Sequence, residues 1–162
     1  RYLSFLEKIL PSLQPVGAHI KLIIKPHYRQ NRITDFEKLA RSNSFIEIEN
    51  SKVLPEKVIK KADFILSMTS SVLSEAVWLN CPGIIIDFDG MDRQFIYEND
   101  GCFPKINFVI NSEQDLLDII KDPIRYKSIY FSRRDEWYKK IQCCNYFGVS
   151  NDRDCEIQKS LR

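Results

Sequence analysis

No glycine-rich phosphate loop of the form GxGxxG or GxxxxGK[ST] occurs in this chain, which argues against a dinucleotide dehydrogenase and against a P-loop enzyme. Long hydrophobic runs are missing too: none approaches the ~18 apolar residues that a membrane span needs. Charge of one sign does not dominate, because 24 basic and 22 acidic side chains leave a formal net charge of +2. That balance is too even to imply a nucleic-acid partner. The five cysteines (Cys81, Cys102, Cys143, Cys144 and Cys155) are odd in number and contain no CxxC pair. Thiols in a reducing compartment are therefore expected in preference to a disulfide framework or a metal site. Internal repeats and low-complexity tracts are absent, and no signal peptide is expected. There is no initiator methionine, and Arg1 already stands inside a helical pattern, so the chain is expected to be a piece of a longer polypeptide.

What is present is a regular alternation of apolar patterns. Tyr2 to Leu13 carries Leu3, Leu6, Ile9, Leu10 and Leu13 at helical spacing, with Pro11 expected to limit the helix. His19 to Lys25 is a β-branched run closed by Pro26 and reads as a buried strand. Thr34 to Arg41 fits a helix opened by a Thr34-x-x-Glu37 capping box. Ser44 to Glu49 alternates as a strand does, and Leu54 to Lys61 is a helix with Pro55 in its first turn. Phe64 to Ser67, Ser70 to Leu79 and Gly83 to Asp87 then read as strand, helix and strand. From Phe88 to Pro104 the periodicity lapses into a long polar and aromatic loop, of the kind that is usually functional or mobile. Lys105 to Ile110 is a further strand, Ser112-x-x-Asp115 caps a helix to Lys121, and Pro123 starts a last helix to about Gln142.

Strands alternating with short helices imply right-handed crossovers. The fold class expected is α/β: a Rossmann-like three-layer α/β/α sandwich with a mainly parallel sheet. Residues 1–148 would form the domain, and 149–162 a polar tail, partly disordered. In such sheets ligands bind outside the carboxyl ends of the strands, and three groups of residues are expected there. Lys25-Pro26-His27 follows the first strand, and His27 could donate to a phosphate oxygen or act as a general acid. The bland alternative is a loop histidine bonded to the backbone; His19 is expected to be structural. Thr69, Ser70 and Ser71 stand at the turn into a helix, where hydroxyls and N–H groups can hold an anion. Capping alone explains one such hydroxyl, while three in a row suit a phosphate cradle. Glu75 lies one turn past Ser71, placed either to accept from ribose hydroxyls or simply to be solvated near the helix start.

On these residues a resemblance becomes specific. KPH after a strand, followed by ADFILSMTSSVLSEAVWLNCPGIIID, resembles the carboxyl-terminal, donor-binding half of two-domain glycosyltransferases of the GT-B architecture. The closest in kind make surface polymers: capsule and sialic-acid transferases, teichoic-acid glycerophosphotransferases, and the related UDP-N-acetylglucosamine 2-epimerase fold. The likeness covers about Ile20 to Asp87, and more loosely extends to Lys121. It implies that His27 and the Ser70-Ser71 turn grip the donor's phosphates and that Glu75 holds the ribose. Tyr28 follows His27 where that group has a proline. The segment after Asp87 faces the interdomain cleft in such relatives, so Asp89, Asp92 and Arg93 are further candidates there, and Lys25 is a further candidate for the cleft.

The function this implies is binding of a nucleotide-sugar or CDP-polyol donor within a glycosyltransferase or polyol-phosphate transferase of cell-surface polysaccharide synthesis. Displacement would occur at the carbon or phosphorus joined to the donor nucleotide, with His27 as the acid and the Ser70-Ser71 turn stabilising the leaving phosphate. The nucleotide-activated sugar or polyol is substrate, and no cofactor or metal is required. The partner implied is an N-terminal acceptor domain outside this sequence, without which little turnover is expected. The location implied is cytoplasmic, at the inner face of the membrane. Tyr126 to Tyr138 could rest there as a peripheral membrane contact, or instead form an amphipathic helix burying Ile129, Tyr130, Trp137 and Ile141. The alternatives are a 2-epimerase-like enzyme acting on a UDP-sugar and a non-catalytic Rossmann-like binding or assembly module. A response-regulator-like signalling domain is disfavoured, because the early strands end without the acidic cluster that would hold Mg²⁺.

Overall fold

The computed structural model describes residues 2–27, 33–68, 70–88, 90 and 106–143. The chain separates between Lys61 and Ala62 into two compact units.

In the Arg1–Lys61 unit, helix α1 (Tyr2–Leu13) buries Phe5, Leu6, Ile9, Leu10 and Leu13, the stripe its apolar spacing encodes. Pro11 does not stop it; the helix runs two residues further and then tightens into a 3-10 segment, Gln14–His19. Gly17 of that segment lies against the Phe45 ring: a Cβ there would come 2.7 Å from Phe45 Cδ1. Because His19 ends the 3-10 segment, strand β1 is only Leu22–Ile24, and it is half-buried along its length rather than fully buried as expected. It pairs in parallel with β2 (Ile46–Ile48), Leu22 opposite Ile46 and Ile24 opposite Ile48.

Between them α2 (Ile33–Ser42) begins one residue before Thr34. Thr34 therefore sits inside the first turn and not at the cap the sequence suggested. Asn43 Nδ2 donates to the Leu39 carbonyl at 2.9 Å and closes the helix. Helix α3 (Pro55–Ile59) opens as expected, with its proline at the first turn where no N–H is missed.

In the Ala62–Arg162 unit, strands β3 (Ile65–Ser67), β4 (Gly83–Ile86) and β5 (Phe108–Ile110) form a parallel sheet in the order β3-β4-β5. Ser67 pairs with Ile85, and Ile84 with Phe108. Strand β4 is buried on every residue, as a central parallel strand covered on both faces should be. Strand β5 is shorter than expected: it begins at Phe108, Ile106 and Asn107 are not in it, and Lys105 lies outside the described residues.

Helix α4 (Ser71–Trp78) follows β3 and packs Leu73 on Ile85, with Ile65, Val72 and Val109 around them. Its end is a Schellman closure: Asn80 N–H donates to the Val77 carbonyl and Cys81 N–H to the Ala76 carbonyl. Asn80 takes the left-handed conformation this requires, with φ 59°.

Helix α5 (Glu113–Lys121) carries the expected capping box in full: Ser112 Oγ accepts the Asp115 N–H, and Asp115 accepts the Ser112 N–H. Helix α6 (Pro123–Cys143) buries Tyr130 completely and sets Tyr126 edge-on to Phe108, with ring centroids 5.2 Å apart. Phe108 is in register with Ile84, the neighbour of Ile85, so α6 meets the face opposite α4. Ile129 and Trp137 are half-buried on this helix, while the side chain of Ile141 lies outside the described residues.

The described residues thus form a mixed α/β chain in the expected element order, with every strand pair parallel. The strands make two short sheets, of two and three strands, where one mainly parallel sheet was expected.

Candidate functional site

The strongest sequence candidates meet at the first turn of α4. Ser70 has the extended backbone of an N-cap (φ −157°, ψ 144°), and its Oγ accepts the Val72 N–H at 3.4 Å. That is a long hydrogen bond, near the limit for one. The Ser70 carbonyl takes the Leu73 N–H at 3.1 Å, so the hydroxyl is loosely engaged while the backbone is firmly helical. Ser71 is the first helical residue and is exposed. Glu75 and Trp78 continue its exposed stripe, whereas Leu73, Ala76 and Val77 face the sheet. The helical spacing alone produces this division. The structure therefore sets Ser70, Ser71 and Glu75 on one solvent-facing side of one helix, with the helix N-terminus at the carboxyl end of β3. Thr69 lies outside the described residues.

Two residues not anticipated from the sequence join this end of the sheet. Asp87, directly after β4, is 1% exposed, and Ser67, the last residue of β3, is 4% exposed. Asp87 N–H donates to the Ile110 carbonyl at 2.9 Å, and its carbonyl accepts the Gly90 N–H at 3.2 Å. Gly90 turns with φ 64°, which glycine adopts without strain. The available signal was the sequence GIIID, an acid ending an apolar run at the carboxyl edge. A run of isoleucines marks a buried strand, and the ladder bond from Asp87 extends that burial one residue past its end.

The Lys25-Pro26-His27 turn belongs to the other unit. Pro26 is buried, His27 is exposed, and Lys25 Nζ donates to the Ser51 carbonyl at 3.3 Å across the carboxyl ends of β1 and β2. Asp89, Asp92 and Arg93 lie outside the described residues.

The Cys81 thiol is buried and donates to the Ala62 carbonyl at 3.4 Å. Burial, with the Asp63 carboxylate adding to it and Lys127 opposing, pushes its pKa up to about 11. A thiol so held is a poor nucleophile. Several cations of α6 turn to the protein's own groups. Arg133 lies 5.1 Å from the Phe108 ring centre, Arg134 lies 4.9 Å from that of Phe131, and Lys127 pairs with Asp63. No group of three or more His, Cys, Asp or Glu side chains that could hold a metal occurs among the described residues. Among those residues no helix is long and apolar enough to cross a membrane. Compared with protein-family models, with curated proteins and with solved structures, the chain finds no match in any of the three.

Proposed function

We propose that this chain is the donor-binding part of a transferase that uses a nucleotide-activated sugar or polyol in cell-surface polymer synthesis. The observation that carries the reading is the start of α4: a helix N-terminus at the carboxyl end of a parallel strand, with Ser70 at the cap and Ser71 exposed on the first turn. The first N–H groups of a helix have no partner within it, and the helix dipole gives that end a partial positive charge. An anion such as the donor's phosphate is suited to both. Glu75, one turn on and exposed, is placed to accept from vicinal hydroxyls of the same donor. The finer fold, a Rossmann-like three-layer α/β/α sandwich forming one half of a GT-B enzyme, belongs to the same proposal. So do the N-terminal acceptor domain as partner and work at the inner membrane face.

In the mechanism proposed, the dipole at the α4 N-terminus and the Ser71 hydroxyl stabilise the charge that develops on the departing phosphate oxygens. The reaction as proposed leaves a nucleoside mono- or diphosphate bound by the same groups that held the donor.

The experiment is calorimetric titration of the chain with CMP, CDP, UMP and UDP. Binding of at least one nucleotide is expected, weakened about tenfold or more in the Ser70→Ala, Ser71→Ala double variant, since hydrogen bonds to charged groups contribute about 1.5–3 kcal/mol. Retention of full affinity in that variant would exclude phosphate binding at the start of α4. One observation favours a second reading, a non-catalytic binding module: the Ser70 hydroxyl already serves as an ordinary cap. Under that reading none of the four nucleotides binds and the double variant loses only helix stability.

A further inference from the structure

We infer that one flank of α6, with Trp78 of α4 beside it, is a docking surface for an anionic lipid bilayer; this deepens, and rests on, the membrane-face location proposed above.

The surface follows from helical spacing. Ile124, Phe131 and Tyr138 stand seven residues apart in α6, so they fall on one line along the helix, drifting by only ~20° at each step. That line is about 21 Å long at the helical rise. It is not the side that α6 turns inward. Tyr130 is 0% exposed, whereas Ile124 is 82% exposed and Phe131 and Tyr138 are half-buried. Trp78 joins the line at its carboxyl end, with its ring centre 6.0 Å from that of Tyr138 and 6.0 Å from that of Trp137. It too is open to water, at 54% exposure. An isoleucine and a tryptophan left in this position forgo apolar burial. Tryptophan and tyrosine rings, apolar in body and polar at one edge, suit the headgroup level of a bilayer.

Charge selects the occupant. Helix α6 carries six basic residues against two acidic ones, Asp135 and Glu136. Its surplus exceeds the +2 of the whole chain, so the remainder of the chain is net acidic. Arg134 lies 4.9 Å from the Phe131 ring centre and 5.5 Å from that of Tyr138, which puts one cation on the aromatic line itself. Arg125, Arg133 and Lys139 are exposed on the same helix. A helix is about 10 Å across, about one Debye length at ordinary salt, so these charges add to one attraction. An anionic headgroup layer answers both features, with negative charge for the cations and a hydrocarbon boundary for Ile124 and the rings. A second copy of the chain would set the same surplus of cations against this one, and a nucleic-acid backbone would give Ile124 no apolar cover. Because α6 is not apolar enough to cross a membrane, it lies in the plane of the surface.

The test mixes the full chain with vesicles of phosphatidylcholine alone, and of equal parts phosphatidylcholine and phosphatidylglycerol, read by co-sedimentation and by tryptophan emission. Trp78 and Trp137 are the two tryptophans of the chain, so the emission reports on this surface directly. Sedimentation and a blue shift are expected with the anionic vesicles, both reversed by high salt. Ile124→Ser should weaken binding about tenfold, and Ile124→Trp should tighten it. The Arg125→Gln, Lys139→Gln double variant should lose about tenfold or more, since each cation near an anionic surface contributes about fivefold. All three side chains are exposed, so these variants keep the fold. Anionic-vesicle binding that they leave unchanged overturns this surface and spares the membrane-face location. Equal binding to both vesicle types overturns the choice of an anionic surface. Binding to neither, or self-association that Ile124→Ser abolishes in its place, removes the surface and the location together. Nucleotide titration without vesicles reads the start of α4 alone, and its outcome stands whichever way the vesicles decide.

Discussion

At the scale of single residues, burial rather than position in sequence decides the chemistry. Cys81 is 3% exposed, and its thiol keeps its proton in the folded chain up to about pH 11, against a starting value of 9.0. The unfolded chain releases that proton first, so folding stability is full below pH 9 and falls as pH rises toward 11, by at most about 1.4 kcal/mol per unit. Burial raises the Tyr130 phenol as well, which steepens the loss at higher pH. Urea unfolding of the wild type at pH 8 and pH 10.5 should show this decline, and Cys81→Ala should flatten it.

Gly83 presents a steric counterpart. A Cβ there would stand 2.4 Å from Asn107 Oδ1 and 2.8 Å from its Cγ. Asn107 is 1% exposed, and neither end of its amide has a hydrogen-bond partner among the described residues. Gly83→Ala is expected to cost about 1–3 kcal/mol by overpacking. In an Asn107→Ala background the same change should cost less, and a double-mutant cycle measures the difference.

At the scale of elements, short-range chemistry explains most boundaries. Helix α5 starts where Ser112 and Asp115 satisfy each other's N–H groups, and Ser112→Ala should cost about 1 kcal/mol. Burial works to raise the Asp115 carboxyl, but the N–H groups of Asn111 and Ser112 and the Ser112 hydroxyl outweigh it and hold its pKa below the ordinary value. A carboxylate with a lowered pKa stabilises the fold above its unfolded value of 3.8 and ceases to do so as pH falls through the folded value. Thermal unfolding between pH 5 and 2 should therefore show a smaller acid-induced loss for Asp115→Asn than for the wild type. These caps were legible in the sequence because each lies within three or four residues. Two expectations failed for reasons equally local. The α2 cap was displaced because the helix takes in Ile33, and β1 lost its expected first residue, His19, to the 3-10 segment.

At the scale of the whole molecule, the two sheets differ in how deeply they are covered. Every residue of β4 is buried, whereas every residue of β1 is half-exposed. Stability is not uniform across a chain, and well-covered ladders open last. Hydrogen exchange should find the Ile84–Ile86 amides slowest and those of Leu22–Ile24 faster; the reverse order would contradict the described burial.

The candidate site divides along the same line. Ser70, Ser71 and Glu75 were readable from one helical turn and stand together in one unit, while Lys25 and His27 stand in the other. What the amino-acid order settles here is whatever acts over a few residues: periodicity, caps, proline and asparagine at helix ends, and hence which side chains share a helix face. Pairing and depth depend on partners distant in the chain. Asp87 is buried through a strand that begins at Phe108, Asn107 through Gly83, and the strands divide into two sheets through contacts that no local pattern encodes. Burial in turn governs how strongly a charge is felt. The hydroxyls of the α4 turn could thus be read from the chain, and the burial of Asp87 only from the fold.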